Sequence, residues 1–374
     1  MIRVGLQGGG YIEDRCVLRI PVPGIRMIRT YDAIDVANAI VRRLHAAPGA
    51  TTFLNCIHHG GGIPRVDGFH LVNALSISRK PWISTFEHFL PRWDAHSRFG
   101  MELIARRNCQ AIIGLSEYAR RSMEQLLEEH DGLRQVISDK MSVLAPPQRL
   151  VIDSYDDKPL DHTLPVFTFV GREFFRKGGM EILQAASLLR AEGHRFRVHI
   201  ISTLETGDYV TRSNSADAAR ARRAIDELSG TVVYRGEMPN AEVLDTLRGS
   251  HAALLPTYDD TYGFSVLEAQ ACGTPVITTD VCALGEINDP GVGWVIPLPH
   301  DRWGQAYRVT PDDLGRLSAM VRDGIAAAMR EIILDPSSAR SRGIRSLERI
   351  RANHDPTLHA ETLTGMYRRF VNKR

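Results

Sequence analysis

Two short stretches of the 374-residue chain combine residue types suited to anion and sugar chemistry. The first is Gly171-Arg172-Glu173-Phe174-Phe175-Arg176-Lys177-Gly178-Gly179, placed after an apolar run and before a helical pattern. A turn that opens a helix offers unpaired N–H groups and the favourable end of a dipole to an anion. Arg172 adds a planar fork of donors and Lys177 a compact charge. Only five of the 46 basic residues are lysine, so a lysine at this turn stands out. The plainer reading is a solvated basic turn, and the G-x-x-x-x-G-K-[ST] pattern of a Walker loop is absent.

The second stretch holds Asp260 and Glu268, with seven residues between them. Gly263-Phe264-Ser265 is the turn expected to start a helix, which puts Asp260 ahead of the helix and Glu268 about one turn inside it. Carboxylates accept hydroxyl hydrogens, which suits sugar and ribose, and the first helical N–H groups suit phosphate. The alternative is an ordinary helix start with Asp260 as its cap. Two further places carry chemistry-bearing residues: Gly8-Gly9-Gly10, and Thr85-Phe86-Glu87-His88. Side chains at a strand end alternate, so only one of Glu87 and His88 is expected to point into a site, and the pattern does not say which.

The elements that must position these residues read as strands and helices in alternation. Strands are expected at 2–6, 51–57, 82–86, 111–115 and 141–144, and helices at 32–46, the latter closed by Pro48-Gly49, and at 117–129. The polar, proline-bearing stretch 150–164 is the linker candidate. Beyond it, strands at 166–170, 197–201, 231–234, 252–255 and 275–278 alternate with helices at 178–191, 216–228, 241–247 and 266–271, and a helical tail starts at Pro311. Such alternation implies parallel sheets covered by helices, whose ligands bind beyond the carboxyl ends of the strands. The length argues for more than one core.

Composition narrows the classes. No apolar run approaches the roughly 18 residues of a membrane span. The opening strand meets glycines too early for a secretory signal, so a cytoplasmic location is expected. Five cysteines with no C-x-x-C spacing argue against a disulfide framework or a structural zinc site. The net charge of +2 gives no nucleic-acid footprint. Residues 1–150 hold 19 basic and 14 acidic residues while the rest hold 27 and 30, so the first half leans basic. That lean suits an anionic acceptor or peripheral contact with a membrane surface, against the plainer reading of scatter in a small difference.

The stretch from Val166 to Pro299 resembles the retaining glycosyltransferases of the GT-B fold, in particular family four (glycosyl transferases group one). Gly171-Arg172 with Lys177-Gly178 is similar to that family's phosphate-binding basic pair, and the run from Gly263 to Val276 is similar to its signature. The resemblance implies an α/β architecture of two Rossmann-like doubly wound domains facing across a cleft. It assigns 1–155 to the acceptor side, 156–356 to nucleotide-sugar binding and 357–374 to a helix that crosses back. It implies that Glu268 holds ribose hydroxyls and that Asp260, where the family usually has Glu, holds the donor sugar. Gly171, Tyr262, Gly263, Phe264, Ser265 and Val266 would surround the diphosphate, and Gly236, Glu237 and Met238 the base. Gly9 and Gly10 sit where the family has a glycine loop over the donor phosphate, and Glu87 and His88 near its reacting sugar. The implied reaction is retaining hexosyl transfer from a UDP or GDP sugar to a hydroxyl of a glycan, lipid-linked or small-molecule acceptor. No cofactor and no metal are expected.

Other readings of the same residues are a nucleotide-sugar epimerase of the same fold and a non-catalytic nucleotide-sugar-binding protein. Glu87, His88, Asp94 and His96 with His58-His59 match no metal motif. The arginines from Arg340 to Arg351 read as a solvated helix face.

Overall fold

The computed structural model describes residues 1–6, 10–31, 48–59, 65–161, 163–307 and 310–371. The chain divides into two compact units, Met1–Pro147 with His354–Arg374, and Gln148–Asn353. The breaks therefore fall at 147/148 and 353/354, where the sequence suggests 155/156 and 356/357.

The first unit is built on a six-stranded parallel sheet. Its strands are β1 (Ile2–Leu6), β2 (Ile25–Arg29), β4 (Gly68–Val72), β6 (Trp82–Phe86), β7 (Cys109–Gly114) and β8 (Met141–Val143), ordered β2-β1-β4-β6-β7-β8. The short strands β3 (Ile57–His58) and β5 (Leu75–Ser76) pair separately. Strands buried on both faces read as near-continuous apolar runs, and every residue of β6 is buried. Helices α1 (Pro48–Asn55), α2 (Arg98–Ala105), α3 (Glu117–Leu127) and α4 (Asp131–Ser138) follow these strands. Ser97 and Ser116 cap α2 and α3 by accepting from Gly100 N and Ala119 N.

The second unit repeats the plan with β9 (Val166–Val170), β10 (Arg197–Ile201), β11 (Val232–Tyr234), β12 (Ala252–Leu255), β13 (Val276–Thr279) and β14 (Trp294–Ile296), ordered β11-β10-β9-β12-β13-β14, all parallel. Its helices are α5 (Gly179–Ala191), α6 (Ser215–Glu227), α7 (Asn240–Arg248), α8 (Phe264–Ala271), α9 (Leu284–Ile287), α10 (Pro311–Leu334) and α11 (Ser337–Asn353). The last helix, α12 (Pro356–Arg368), belongs to the first unit. There His70, in β4, bonds Tyr367 Oη through Nδ1 at 2.6 Å and Thr85 Oγ1 through Nε2 at 2.8 Å. His359 reaches the carbonyls of Ala145 and Cys16 at 3.0 and 2.9 Å. Among the described residues no helix is long and apolar enough to cross a membrane.

Three expectations change. The strand expected at 51–57 is largely helix α1, and only Ile57–His58 is extended. Pro48 and Gly49 are themselves part of that helical segment. Strands β2 and β4 escape the sequence reading: Arg26 and Arg29 interrupt one, and Gly68 and the buried His70 the other. The proposed linker is not a free connection. Val151 N donates to Ala271 O at 2.9 Å, and Ile152 and Tyr155 pack with Leu347. Lys158 is buried and donates to Thr274 Oγ1 at 2.6 Å and Cys272 O at 3.1 Å. The helix expected over 32–46 lies outside the described residues.

Candidate functional site

The carboxyl ends of β9, β11 and β12 bring the sequence candidates of the second unit together. β9 ends at Val170, and the chain turns through Arg172 to Lys177 before α5 begins. Gly178 makes that turn with φ 77°, in the left-handed region, and a Cβ there would collide with Pro256 O. β12 ends at Leu255, and a second turn through Asp260 leads to Gly263, which starts α8 with φ 86°. A Cβ on Gly263 would stand 2.5 Å from Leu284 Cδ2. Both turns thus need glycine for backbone conformation and for room.

Lys177 and Asp260 meet across these turns, Nζ to Oδ2 at 3.1 Å, with side-chain exposures of 17% and 16%. The other carboxylate oxygen, Asp260 Oδ1, accepts from Gly263 N at 2.9 Å. Burial by itself raises the Asp260 pKa. The Lys177 ammonium, helped by Arg176 and the Gly263 N–H, outweighs burial and holds the carboxyl below the usual range. Asp260 therefore ties a cation to the start of α8. That helix buries Val266, Leu267, Ala269 and Ala271 and leaves Glu268 half-buried on its other side. Ser265 Oγ, in the first turn, is shielded from solvent without a hydrogen-bond partner among the described residues.

Around this pair lie the remaining candidates. Arg172 and Glu237, 65 residues apart, form an exposed ion pair at 2.7 Å. Gly236 bends the turn between them with φ 66° and has open space where a side chain would be, and Met238 follows half-buried. Glu268 Oε1 accepts from Asn240 Nδ2, at the start of α7, at 3.4 Å. Tyr262 is only 1% exposed and packs on Phe264 with centroids 5.2 Å apart, so its ring belongs to the core beneath the turn.

Arg176, Asp259, Tyr209 and Asn240 were not among the sequence candidates. Arg176 bonds Asp259 O and Glu173, and Tyr209 Oη donates to Asp259 Oδ2 at 2.6 Å. Arg176 and Asp259 sit beside Lys177 and Asp260 and were findable as neighbours. Tyr209 lies in the connection from β10 to α6 and Asn240 opens α7, and neither belongs to a motif.

The first unit holds the other candidates by itself. Glu87 follows β6 at the carboxyl end of the sheet, half-buried, and bonds Asn73 Nδ2 and the reverse pair Glu87 N–Asn73 Oδ1 close at 3.3 Å each. His88 is buried and stacks on Tyr118 at 5.2 Å and 15°, so Glu87 is the more accessible of the two. Gly10 precedes the short helical segment Tyr11–Glu13, while Gly8 and Gly9 lie outside the described residues. Among the described residues, no group of three His, Cys, Asp or Glu side chains is placed to hold a metal ion, and Glu87, His88, Asp94, His96, His58 and His59 do not form one.

Comparison with known proteins points the same way as this geometry. Residues 153–306 match the family described as Glycosyl transferases group 1. A glycogen synthase from Mycobacterium tuberculosis is 28% identical over 188 residues, 50% of this chain and 38% of that protein. A D-inositol 3-phosphate glycosyltransferase from Catenulispora acidiphila is 36% identical over 165 residues, 43% of this chain and 39% of that protein. The match thus spans less than two-fifths of these relatives' length. Anabaena HepE, solved in complex with UDP, superposes with a TM-score of 0.61 over 99% of this chain and 100% of that one, at 12% identity. Two parallel-sheet Rossmann-like units give the chain the GT-B fold, and residues 153–306 of its second unit are similar to the glycosyl transferases group 1 family.

Proposed function

We propose that this chain moves a sugar from a nucleoside diphosphate sugar to an acceptor hydroxyl with retention of anomeric configuration. The observation that carries the reading is the Lys177–Asp260 pair fixed to the first turn of α8, a cation held beside a helix start at the strand ends of the second sheet. The diphosphate lies over Lys177 and the first turn of α8, where the Ser265 hydroxyl turns outward to donate to it. Arg172 exchanges its exposed partner Glu237 for a phosphate oxygen. Exposed ion pairs contribute about 0–1 kcal/mol, so that exchange costs little. Glu268, oriented by Asn240, takes the ribose hydroxyls, and the turn 236–238 lies beside the base.

In the reaction the bond from the anomeric carbon to the phosphate oxygen breaks and the acceptor oxygen bonds to the same face of that carbon. The acceptor proton passes to the departing phosphate oxygen. Negative charge grows on the diphosphate, so fixed cations and N–H dipoles aimed at it supply the main rate term. These cations supply the charge that a divalent ion would otherwise bring, and we read the transfer as metal-independent. Glu87, at the strand ends of the first unit, belongs to the acceptor side. UDP and GDP sugars are the favoured donors, and the acceptor is a glycan, a lipid-linked molecule or a small molecule. The UDP in the HepE structure and the sugar-transferring names of the relatives support this choice.

The test is a thermal-shift panel of nucleoside diphosphates followed by product analysis by NMR. A true ligand at 100 times its dissociation constant adds about 2.7 kcal/mol of stability. Stabilisation by UDP or GDP and a product of unchanged anomeric configuration are expected. Stabilisation by no nucleotide, or an epimerised sugar formed from donor alone, overturns the reading.

A further inference from the structure

We infer that the first unit carries a second anion site, built for a phosphate-type group and placed at the amino edge of its sheet, the end opposite Glu87. Four neighbouring parallel strands, β1, β4, β6 and β7, begin along that edge. Arg3 sits in β1, Arg65 ahead of β4, Arg79 and Lys80 ahead of β6, and Arg107 ahead of β7. These five cations line two adjoining cavities of ≈ 410 and ≈ 390 Å³ that share Val66, Asp67 and Lys80. Cavities of about 300–1,000 Å³ are the usual size for small-ligand sites.

Among the described residues the charge there is largely uncompensated. Asp67 is the one carboxylate of the lining, and its Oδ2 already accepts from Arg3 N at 2.9 Å. Lys80 Nζ donates to Val66 O at 3.0 Å, which anchors it at the junction of the cavities. No carboxylate among the described residues pairs with Arg3, Arg65, Arg79 or Arg107, and all four are exposed. Other arginines of the same unit do find carboxylates, as in Arg98–Glu102 and Arg120–Glu117.

A simpler account is that cations gather here because helices of such folds end on this side, and a helix C-terminus favours positive charge. That account covers Lys140, whose Nζ donates to the carbonyls of Ile104, Ala105 and Arg106 at the end of α2. It does not cover Arg3, Arg65 or Arg79, which follow no described helix end. Like charges drawn together raise one another's energy unless an anion joins them, and guanidinium forks match phosphate oxygens two at a time. Pro81 and Phe370 give one cavity an apolar wall, so the phosphate belongs to an organic molecule. Such a group comes from a soluble phosphorylated compound or from a lipid headgroup.

The experiment uses the full chain with Arg172→Ala and Lys177→Ala, which removes the cations proposed for the second unit. It is titrated calorimetrically with inorganic pyrophosphate, and in a separate arm mixed with sedimenting vesicles of phosphatidylglycerol or of phosphatidylcholine. Binding of pyrophosphate, or of phosphatidylglycerol but not phosphatidylcholine vesicles, is expected, and the arm that responds identifies the source. Adding Arg79→Glu and Arg107→Glu should weaken that binding at least about a hundredfold, and Arg79→Gln with Arg107→Gln about tenfold or more. Circular dichroism checks that each variant is folded. Binding to neither probe, or binding unchanged by both pairs of substitutions, overturns the site.

Discussion

Removing one member of the Lys177–Asp260 pair should damage the second unit more than removing both. Lys177→Ala leaves the Asp260 carboxylate, 16% exposed, without the cation 3.1 Å away. At that separation the attraction is about 5 kcal/mol for an effective dielectric near 20, and most of it offsets desolvation of the two charges. Breaking a buried pair from one side costs about 3–5 kcal/mol, and because neither side chain is fully buried the lower end, about 3 kcal/mol, applies. For a unit of this size that lowers the melting temperature by about 6–12 °C. Lys177→Ala with Asp260→Asn removes the stranded charge while an amide oxygen still accepts from Gly263 N, so most of the loss should return. The pH dependence has a definite sign. In the native chain Asp260 titrates below its ordinary value, so its stabilisation is present above the unfolded value of 3.8 and is lost as pH falls through the lower folded one. Without Lys177, burial is opposed only by Arg176 and the Gly263 N–H, and the folded value rises. The gap between single and double variant should then narrow as pH falls from about 7 to about 4. Differential scanning calorimetry of both variants at the two pH values is the assay. Equal melting of single and double variants at neutral pH would refute the reasoning, because Lys177 would then not be what holds the carboxylate.

Glu268→Gln weakens a ribose contact made equally before and during reaction, so it should raise the donor KM about ten- to a hundredfold with kcat little changed; a collapse of kcat at constant KM in steady-state assays would invert its role. Glu13, 3% exposed, has its carboxyl pushed up to about 7 by burial, against the pull of Arg29 and the Gly10 N–H. Its contribution to the first unit is therefore full below the unfolded value of 4.5 and lost as pH rises through about 7, at up to about 1.4 kcal/mol per pH unit. Calorimetry of Glu13→Gln across that range should show a flatter slope than the native chain, and an identical slope would remove the assignment.

The second unit was more legible in the sequence than the first, for reasons visible in particular residues. Its strands are unbroken runs such as Val166–Val170 and Ala252–Leu255, and two of its helices begin at a capping box, Asn214 with Asp217 and Thr310 with Asp313. Periodicity and capping report local physics, and there the local physics agrees with the fold. In the first unit, β4 carries His70 at its centre, and a histidine looks polar until Tyr367, almost 300 residues later, supplies its partner. A bond of that span leaves no local trace. The same limit applied at the site. The spacing of Asp260 and Glu268 was plain, but nothing in it said that both Asp260 oxygens are committed, one to Lys177 and one to Gly263 N.

That commitment changes what the Asp-for-Glu difference means. Each Asp260 oxygen already accepts one bond, from the cation and from the helix start, which fixes the carboxylate's orientation and leaves one lone pair on each. The side chain is one methylene shorter than glutamate, which is the length that lets it close on Gly263 N from three residues away. We propose that Asp260 acts first as a positioning residue for Lys177 and α8, as against the direct sugar contact that the resemblance implies. Asp260→Glu separates the two accounts. If the longer carboxylate can leave the Gly263 N–H, the start of α8 loosens and nucleoside diphosphate alone binds more weakly, by about tenfold for a charged hydrogen bond near 1.5 kcal/mol. If Asp260 instead contacts the sugar, UDP or GDP without a sugar binds the variant as it binds the native chain, and only the intact sugar nucleotide distinguishes them. Isothermal titration with both ligands reads the difference directly.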